Sequence, residues 1–186
     1  RYIQRWALMR NTEPENIQEH SHMVAILAHA LALLQNKHFG GHIDPGQAVL
    51  LALYHDATEI LTGDLPTPIK YYNPALRASY KEVEETAANR LLELLPEELR
   101  GDYAPYLLHP DPELEAVVKA ADKLDAYLKC VKERKAGNGE FQTAQVQIWD
   151  ALQANPLPAL GYFIQHYLPS FELTLDQLNG STHTMF

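Results

Sequence analysis

Apolar residues recur along most of the chain at intervals of three and four, which is the period of an α-helix. No segment shows the alternation of a half-buried strand, and no hairpin signal is present. The sequence therefore predicts an all-α fold. Helices or helical turns are expected over residues 1–10, 16–34, 44–63, 74–95, 96–108, 111–137, 141–153 and 159–167, with a looser tail over 169–179.

One of these helices has clear signals at both ends. Asp44 is its predicted N-cap, Pro45 its first residue, and Gln47 can complete a capping box. Gly63 suits the position just after the last turn, because glycine adopts a left-handed conformation readily. A continuous helix is therefore predicted over residues 44–63.

The same helix runs from an apolar stretch into a polar pair. Residues 48–54 are apolar all round, so we expect burial on every side. His55 and Asp56 follow directly and would then lie in the core. An unpaired buried carboxylate is costly, and a metal ion is a partner that suits both side chains.

Two further residues complete a set of candidate metal ligands. His20 shares a face with apolar residues at helical spacing and is expected to point inward. Asp122 lies at the edge of another apolar stripe. Taken singly, His55 and Asp56 read as a polar pair at a helix end and His20 as a core histidine. Asp122 reads as part of a surface Asp–Lys pair. Two imidazoles and two carboxylates together suit divalent Mn, Fe, Co, Ni, Cu or Zn. The four candidate ligands are His20, His55, Asp56 and Asp122.

Two features flank the polar pair. Glu59 lies one turn beyond it, four residues after His55 and three after Asp56. Its carboxylate would stand close enough to act on a water molecule at the site without being a ligand. Further along, two prolines bracket Thr67 and predict a stiff loop over residues 64–68 that can fold back over the site.

Composition narrows the class of protein. A length of 186 residues suits a single domain with a substantial core. The net charge of −9 argues against nucleic-acid polymers and anionic membranes as partners. A single cysteine, Cys130, excludes an internal disulfide and suits a reducing cytosol. No apolar run approaches the roughly 18 residues of a membrane span, so a cytoplasmic protein is expected.

Several local strings are specific enough to carry a resemblance: Arg5-Trp6, Glu19-His20-Ser21, Tyr54-His55-Asp56-Ala57-Thr58-Glu59, Thr62-Gly63-Asp64-Leu65-Pro66-Thr67-Pro68 and Lys119-Ala120-Ala121-Asp122. Their order resembles that of HD-domain metal-dependent phosphohydrolases, and most closely the bacterial 5′-deoxynucleotidases of the YfbR type. The resemblance runs from residue 1 to about residue 175.

The resemblance implies an all-helical homodimeric enzyme that hydrolyses deoxyribonucleoside 5′-monophosphates to deoxynucleoside and phosphate. It implies one HD domain over residues 1–175, a bundle of about six to eight helices, with a tail over 176–186. One divalent transition metal (Co, Mn, Cu, Zn, Ni or Fe) would lie between the helices.

The resemblance also implies a role for each residue that matches a motif position of the family. The metal ligands would be His20, His55, Asp56 and Asp122. Arg5 would orient the phosphate and act in catalysis together with Glu59. The sugar would be enclosed by Trp6, Asp64, Leu65, Pro66 and Thr67, with His20, Asp56 and Asp122 also bordering the substrate.

Two alternative functions are open at this point. Another HD phosphohydrolase could act on a nucleoside triphosphate or a cyclic nucleotide, which would need more cations or a different loop after residue 63. A non-catalytic helical module could use the metal only to join its helices, although structural metal sites are usually closed by protein ligands.

Overall fold

The computed structural model describes residues 1–66 and 73–180, and over these residues the chain is helical. An isolated antiparallel bridge between Gln4 and Asn16 is the β-type pairing in this part of the chain. Two 3₁₀ turns cover Gly139–Phe141 and Leu168–Glu172. The all-α prediction is confirmed. In chain order the helices are α1 (Ile17–Phe39), α2 (Pro45–Tyr54), α3 (Glu59–Thr62), α4 (Pro74–Glu93), α5 (Glu97–Leu107), α6 (Pro112–Lys135), α7 (Gln142–Gln153), α8 (Pro158–His166) and α9 (Leu175–Gly180).

The helices that carry the site begin at side-chain caps. The Asn16 side chain accepts hydrogen bonds from the backbone of Gln18 and Glu19, and Asp44 and Asp111 cap α2 and α6 in the same way. These bonds satisfy backbone N–H groups that have no partner inside the helix. The starts of α1, α2 and α6 are therefore set by short-range chemistry.

Helices α1, α2 and α6 form the centre of the bundle. Small side chains with no exposed surface, including Ala28, Ala48 and Ala121, let the three backbones approach closely. Leu31 and Leu124 fill the space between them. Helix α7 packs on α6, and α8 packs on α1. The site is thus built on helices that share the hydrophobic core.

The continuous helix predicted over residues 44–63 is wrong. Helix α2 ends at Tyr54, a turn follows, and α3 begins at Glu59. Burial on every side is also wrong, because Leu50 and Leu53 are 38% and 42% exposed. Its buried residues Ala48, Leu51 and Ala52 lie on one face, so the helix packs against the bundle by that face.

The capping box is a third correction in this region. Asp44 caps α2, but the Gln47 side chain accepts a hydrogen bond from the Tyr106 hydroxyl at 2.7 Å. A contact from α5 therefore takes the acceptor that a capping box would use. Residues 96–108, expected as a short helical turn, contain the 11-residue helix α5.

The helix expected over residues 1–10 is also wrong. Its backbone pairs with the residues that precede and begin α1: Arg5 N donates to Glu15 O at 2.8 Å, and Ile17 N donates to Ile3 O at 3.1 Å. These partners draw the chain into an extended path. Trp6 adopts φ 59°, a left-handed conformation that is rare for a non-glycine residue.

At the C-terminal end, the expected looser tail contains the 3₁₀ turn Leu168–Glu172 and the short helix α9. The domain boundary at residue 175 stays a prediction. None of the helices in the two described stretches has both the length and the apolarity needed to cross a membrane.

Candidate metal centre

The four predicted ligands come together where α1, α2 and α6 meet. His20 lies in the first turn of α1, His55 and Asp56 directly follow α2, and Asp122 belongs to α6. His20 Nε2 is 3.4 Å from Asp56 Oδ2 and 3.3 Å from Asp122 Oδ1. His55 Nε2 is 3.3 Å from Asp56 Oδ2. Side chains from three separate segments therefore face one point.

His55 and Asp56 reach one point although they are adjacent in the sequence. Successive residues of a helix point about 100° apart, and His55 keeps helical dihedral angles of φ −58° and ψ −34°. The chain then turns, with Ala57 N donating to Tyr54 O and Glu59 N donating to Asp56 O. His55 Nε2 nevertheless lies 3.3 Å from Asp56 Oδ2, so the point that both side chains face lies beside the end of α2.

Both imidazoles are held with one nitrogen directed at the site. His55 Nδ1 lies 2.7 Å from the carbonyl oxygen of Ala52, and His20 Nδ1 lies 2.7 Å from Asp125 Oδ2. A carbonyl only accepts, so Nδ1 of His55 carries the hydrogen. The Nε2 atoms of both rings are buried without a hydrogen-bond partner. An unpartnered buried Nε2 is the arrangement that a ligand imidazole presents to a metal.

The donor set fits a divalent transition metal. His20, His55 and Asp122 each offer a ligand atom within 4.8 Å of the others, and Asp56 adds a second carboxylate. Imidazole nitrogen and carboxylate oxygen are common ligands for first-row ions. These residues therefore form a His/Asp cluster that can hold a metal.

A second cluster beside it is already filled. Glu15, His20 and Asp125 also bring potential ligand atoms together. The guanidinium of Arg5 lies among them, paired with Glu15 and 3.8 Å from Asp125 Oδ2. Its other nitrogen, Nη2, is 3.8 Å from Asp122 Oδ1. The second cluster is therefore a binding site for Arg5 rather than for an ion.

The histidines and carboxylates of the metal centre stabilise one another's charged forms. Burial by itself lowers the pKa of His20, but the neighbouring carboxylates of Asp122, Asp125 and Asp56 raise it to about 11. Burial raises the pKa of Asp56, but the two imidazoles hold it well below its usual range. The carboxylates thus keep a positive partner at neutral pH, and a divalent cation can replace the imidazole proton in that role.

Glu59 occupies a different electrostatic environment. Burial, followed by the negative charges of Asp56 and Asp64, raises the pKa of its carboxyl group to about 8. Its Oε2 atom is buried without a hydrogen-bond partner. Glu59 can therefore hold or release a proton near neutral pH, as a general acid or base must.

The remaining predicted residues lie at the edges of the centre. The Trp6 ring is 5.9 Å from the Arg5 guanidinium carbon, and its Nε1 is buried without a partner. Asp64 acts electrostatically on Glu59. Leu65 and Pro66 are half-buried beyond Gly63, and the prediction for Thr67 lies outside the described residues.

Two residues of the centre were missed from the sequence. Asp125 holds His20, and Glu15 holds Arg5. Asp125 follows Asp122 by three residues, the spacing of neighbours on one helix face, and this signal could have identified it. Glu15 has no such signal, because its partner lies across a turn of irregular chain.

Comparison with known proteins identifies the family to which this chain belongs. Residues 1–171 match the family described as 5′-deoxynucleotidase YfbR-like. Proteins of Vibrio parahaemolyticus and Vibrio cholerae, both named 5′-deoxynucleotidase, are each 51% identical over 179 residues, covering 95% of this chain and 92% of theirs. The chain belongs to the YfbR-like 5′-deoxynucleotidase family.

Solved structures relate this YfbR-like protein to HD-domain enzymes. An HD-domain phosphohydrolase from Listeria innocua gives a TM-score of 0.78 at 23% identity, covering 91% of this chain and 82% of the other. The HD phosphohydrolase of cyanophage S-2L, bound to dA and one catalytic Zn²⁺, gives 0.63 at 22%, covering 93% and 92%. At these identities the likeness establishes a shared HD-domain fold.

Replacing the carboxylate that holds His20 should weaken metal binding by this YfbR-like protein. Asp125→Asn removes the charge that orients the ring and strengthens Nε2 as a ligand. We expect metal affinity to fall roughly 10- to 100-fold, measured by competition with a chelator. Asp150→Asn, an exposed change on α7, is the control. Equal metal affinities in both variants would show that Asp125 does not support His20 as a metal ligand.

Proposed function

We propose that this protein is a metal-dependent 5′-deoxynucleotidase, which hydrolyses deoxyribonucleoside 5′-monophosphates to deoxynucleoside and inorganic phosphate. One observation carries the proposal. Two buried imidazoles with free Nε2 atoms face Asp56 and Asp122 beside the guanidinium of Arg5, in a chain whose 51% identical relatives are named 5′-deoxynucleotidases. A metal-ligand set next to an anion-binding cation suits hydrolysis of a phosphate ester.

The proposed ligands are His20, His55, Asp56 and Asp122, and the proposed ion is one divalent Co, Mn, Cu, Zn, Ni or Fe. The catalytic Zn²⁺ of the cyanophage neighbour supports a transition metal in this fold. A bound divalent ion supplies Lewis acidity, which stabilises negative charge on a phosphoryl group. The choice among these metals depends on supply and coordination geometry more than on ligand type.

Arg5 is proposed to bind the phosphate. Its guanidinium is fixed by Glu15 and stands 3.8 Å from Asp122 Oδ1, so it faces the same space as the ligands. Arginine forms charge-assisted, often bidentate hydrogen bonds to phosphate. A single guanidinium offsets the charge of a monophosphate better than that of a triphosphate, which favours the monoester among the alternatives.

Glu59 is proposed to exchange a proton with the water that attacks phosphorus. Its unpartnered Oε2 and its pKa of about 8 suit that role. A purely structural metal site would have no use for such a carboxyl group. This feature favours an enzyme over a module in which the metal only joins helices.

The sugar is proposed to lie between Trp6 and the loop from Asp64 to Thr67. Support comes from Trp6, whose backbone is held at φ 59° and whose buried Nε1 has no partner. Backbone strain of this kind is frequent at ligand-binding positions. A rigid wall beside the 2′ carbon would exclude the extra hydroxyl of a ribonucleotide by shape.

A substrate panel tests the proposed function. Metal-loaded protein is assayed for phosphate release from dAMP, AMP, dATP and a cyclic nucleotide, with chelator-treated protein as the control. We expect release from dAMP that is at least about tenfold faster than from AMP and is lost after chelation. Preferred release from dATP or the cyclic nucleotide would support another phosphohydrolase, and no release from any would support the structural metal.

Removing the proposed phosphate-binding cation should separate catalysis from metal binding. Arg5→Ala is expected to lower kcat/KM for dAMP roughly 10- to 100-fold, the value of a charge-assisted hydrogen bond, with unchanged metal content by elemental analysis. Arg10→Ala is the matched control, because Arg10 lies in the same segment but pairs with Glu140 at the surface. Full activity of the Arg5→Ala enzyme would end this assignment.

The active form is proposed to be a homodimer. Eight large apolar side chains exposed in the described part of residues 50–99 support this proposal, because large exposed apolar areas are typical of interaction sites. Sedimentation equilibrium should give twice the mass of one chain at micromolar concentration; a single-chain mass throughout would refute it. Within the described residues from α2 to α5, the exposed apolar side chains are Leu50, Leu53, Ile60, Leu61, Leu76, Val83, Leu94 and Leu99.

A further inference from the structure

Helix α6 carries a row of charged residues along one face. Asp122, Asp125, Lys129 and Glu133 follow one another at intervals of three, four and four, which places them on one side of the helix. The first two belong to the metal centre. Lys129 and Glu133 are only 4% and 1% exposed and have no part in that centre. Fully buried charges are rare and need a specific partner.

The Glu133 carboxylate collects donors from the N-terminal segment (residues 1–16). It accepts hydrogen bonds from the backbone N–H of Thr12 at 2.9 Å, from the Thr12 hydroxyl and from the backbone N–H of Glu13 at 3.4 Å. Lys129 Nζ donates to it at 2.5 Å and Asn138 Nδ2 at 2.8 Å. Burial opposes ionisation, but Lys129, Thr12 and Asn138 hold its pKa well below the usual range.

Lys129 contacts the N-terminal segment directly at Glu13 and reaches Trp6 indirectly through Phe141. Its Nζ donates to the carbonyl oxygen of Glu13 at 2.5 Å. It also lies 5.6 Å from the centre of the Phe141 ring, and Phe141 packs against Trp6 with ring centres 5.3 Å apart. One ammonium group therefore links the backbone at residue 13 to the ring that supports Trp6.

The N-terminal segment has little regular structure of its own to hold it. Its first part is attached near α1 through Gln4 and Arg5. The Trp6 carbonyl accepts from Met9 N at 2.9 Å and from Asn11 Nδ2 at 3.2 Å, which closes a turn. Beyond this turn, the chain is attached to α6 at Thr12 and Glu13 through the buried pair.

We propose that the Lys129–Glu133 pair is a positioning device for the substrate-binding segment: it fixes residues 12–13 on α6 and so holds Arg5 and Trp6 at the metal centre. The proposal rests on the proposed function, in which Arg5 and Trp6 contact the nucleotide. Neither Lys129 nor Glu133 touches substrate in this arrangement; both act through the segment they hold.

The chemistry of the pair explains why charged residues occupy a buried position. Two backbone N–H groups, one hydroxyl and one amide all need acceptors here. A carboxylate has about four lone-pair positions and can serve them together. Lys129 balances its charge and serves the Glu13 carbonyl. Apolar residues could fill the space but would leave residues 12–13 without their hydrogen-bond partners on α6.

The double variant Lys129→Met with Glu133→Leu tests this device, since replacing a whole buried ion pair by apolar residues often preserves global stability. We expect metal content and unfolding temperature close to those of the parent. Amide hydrogen exchange in residues 1–16 should accelerate about tenfold or more. The kcat/KM for dAMP should fall roughly 10- to 100-fold, because small misplacements of binding groups are that costly.

The ratio of kcat/KM for dAMP to that for AMP separates positioning from plain stability. A displaced Trp6 should lower this ratio about tenfold, which loss of stability alone would leave unchanged. Glu133→Gln is the second variant if the double variant does not fold, with the same direction expected. The control is Arg134→Gln with Glu172→Gln, which removes an exposed ion pair of α6 and should change none of these quantities.

Failure of the positioning role and failure of the proposed function give different results. A folded, metal-loaded double variant with parental exchange, kcat/KM and selectivity would overturn the positioning role. If the parent releases no phosphate from dAMP, the proposed function fails. In that case the exchange of residues 1–16 still decides, without any assay of activity, whether the pair anchors the segment.

Discussion

Negative charge gathered at the junction of α1, α2 and α6 is the constraint on which the rest of the site depends. Asp56, Asp122 and Asp125 converge there around the buried imidazole of His20. Like charges at such distances in a partly buried space repel strongly unless cations stand among them. His20, Arg5 and a divalent ion are the partners that the geometry accommodates. The orientation of both imidazoles and the path of the N-terminal segment follow from meeting this requirement.

Helix α6 supplies the rigid frame for these charges. Asp122 and Glu133 stand on one face about 16 Å apart, at 1.5 Å per residue. One end of this face contributes a proposed metal ligand, and the other holds the segment that carries Arg5. Because α6 is one continuous helix packed against α1 and α7, its two ends belong to the same rigid element. A single well-packed helix can therefore align groups that are distant in sequence.

Departures from regular structure are concentrated around the site. Helix α2 ends at Tyr54, immediately before His55 and Asp56. Trp6 is left-handed at φ 59°, and Gly63 adopts φ 71° where the chain leaves α3. The Trp6 turn is closed by two local hydrogen bonds to its carbonyl, from Met9 N and Asn11 Nδ2. Departures from regular backbone are frequent at functional sites, where the site sets the conformation.

The sequence by itself determined the helical fold class and the cap at Asp44, because these features depend on neighbours within a few residues. It also identified the set of candidate ligands, by residue type and by resemblance. Tertiary structure alone decided the partners. His20 meets Asp125 across 105 positions, and residues 1–10 do not form a helix because Ile3 and Arg5 are hydrogen-bonded to the backbone of Ile17 and Glu15. Residue spacing along one helix encodes which side chains share a face. It does not encode which distant segment that face will meet, because that depends on how the whole core packs.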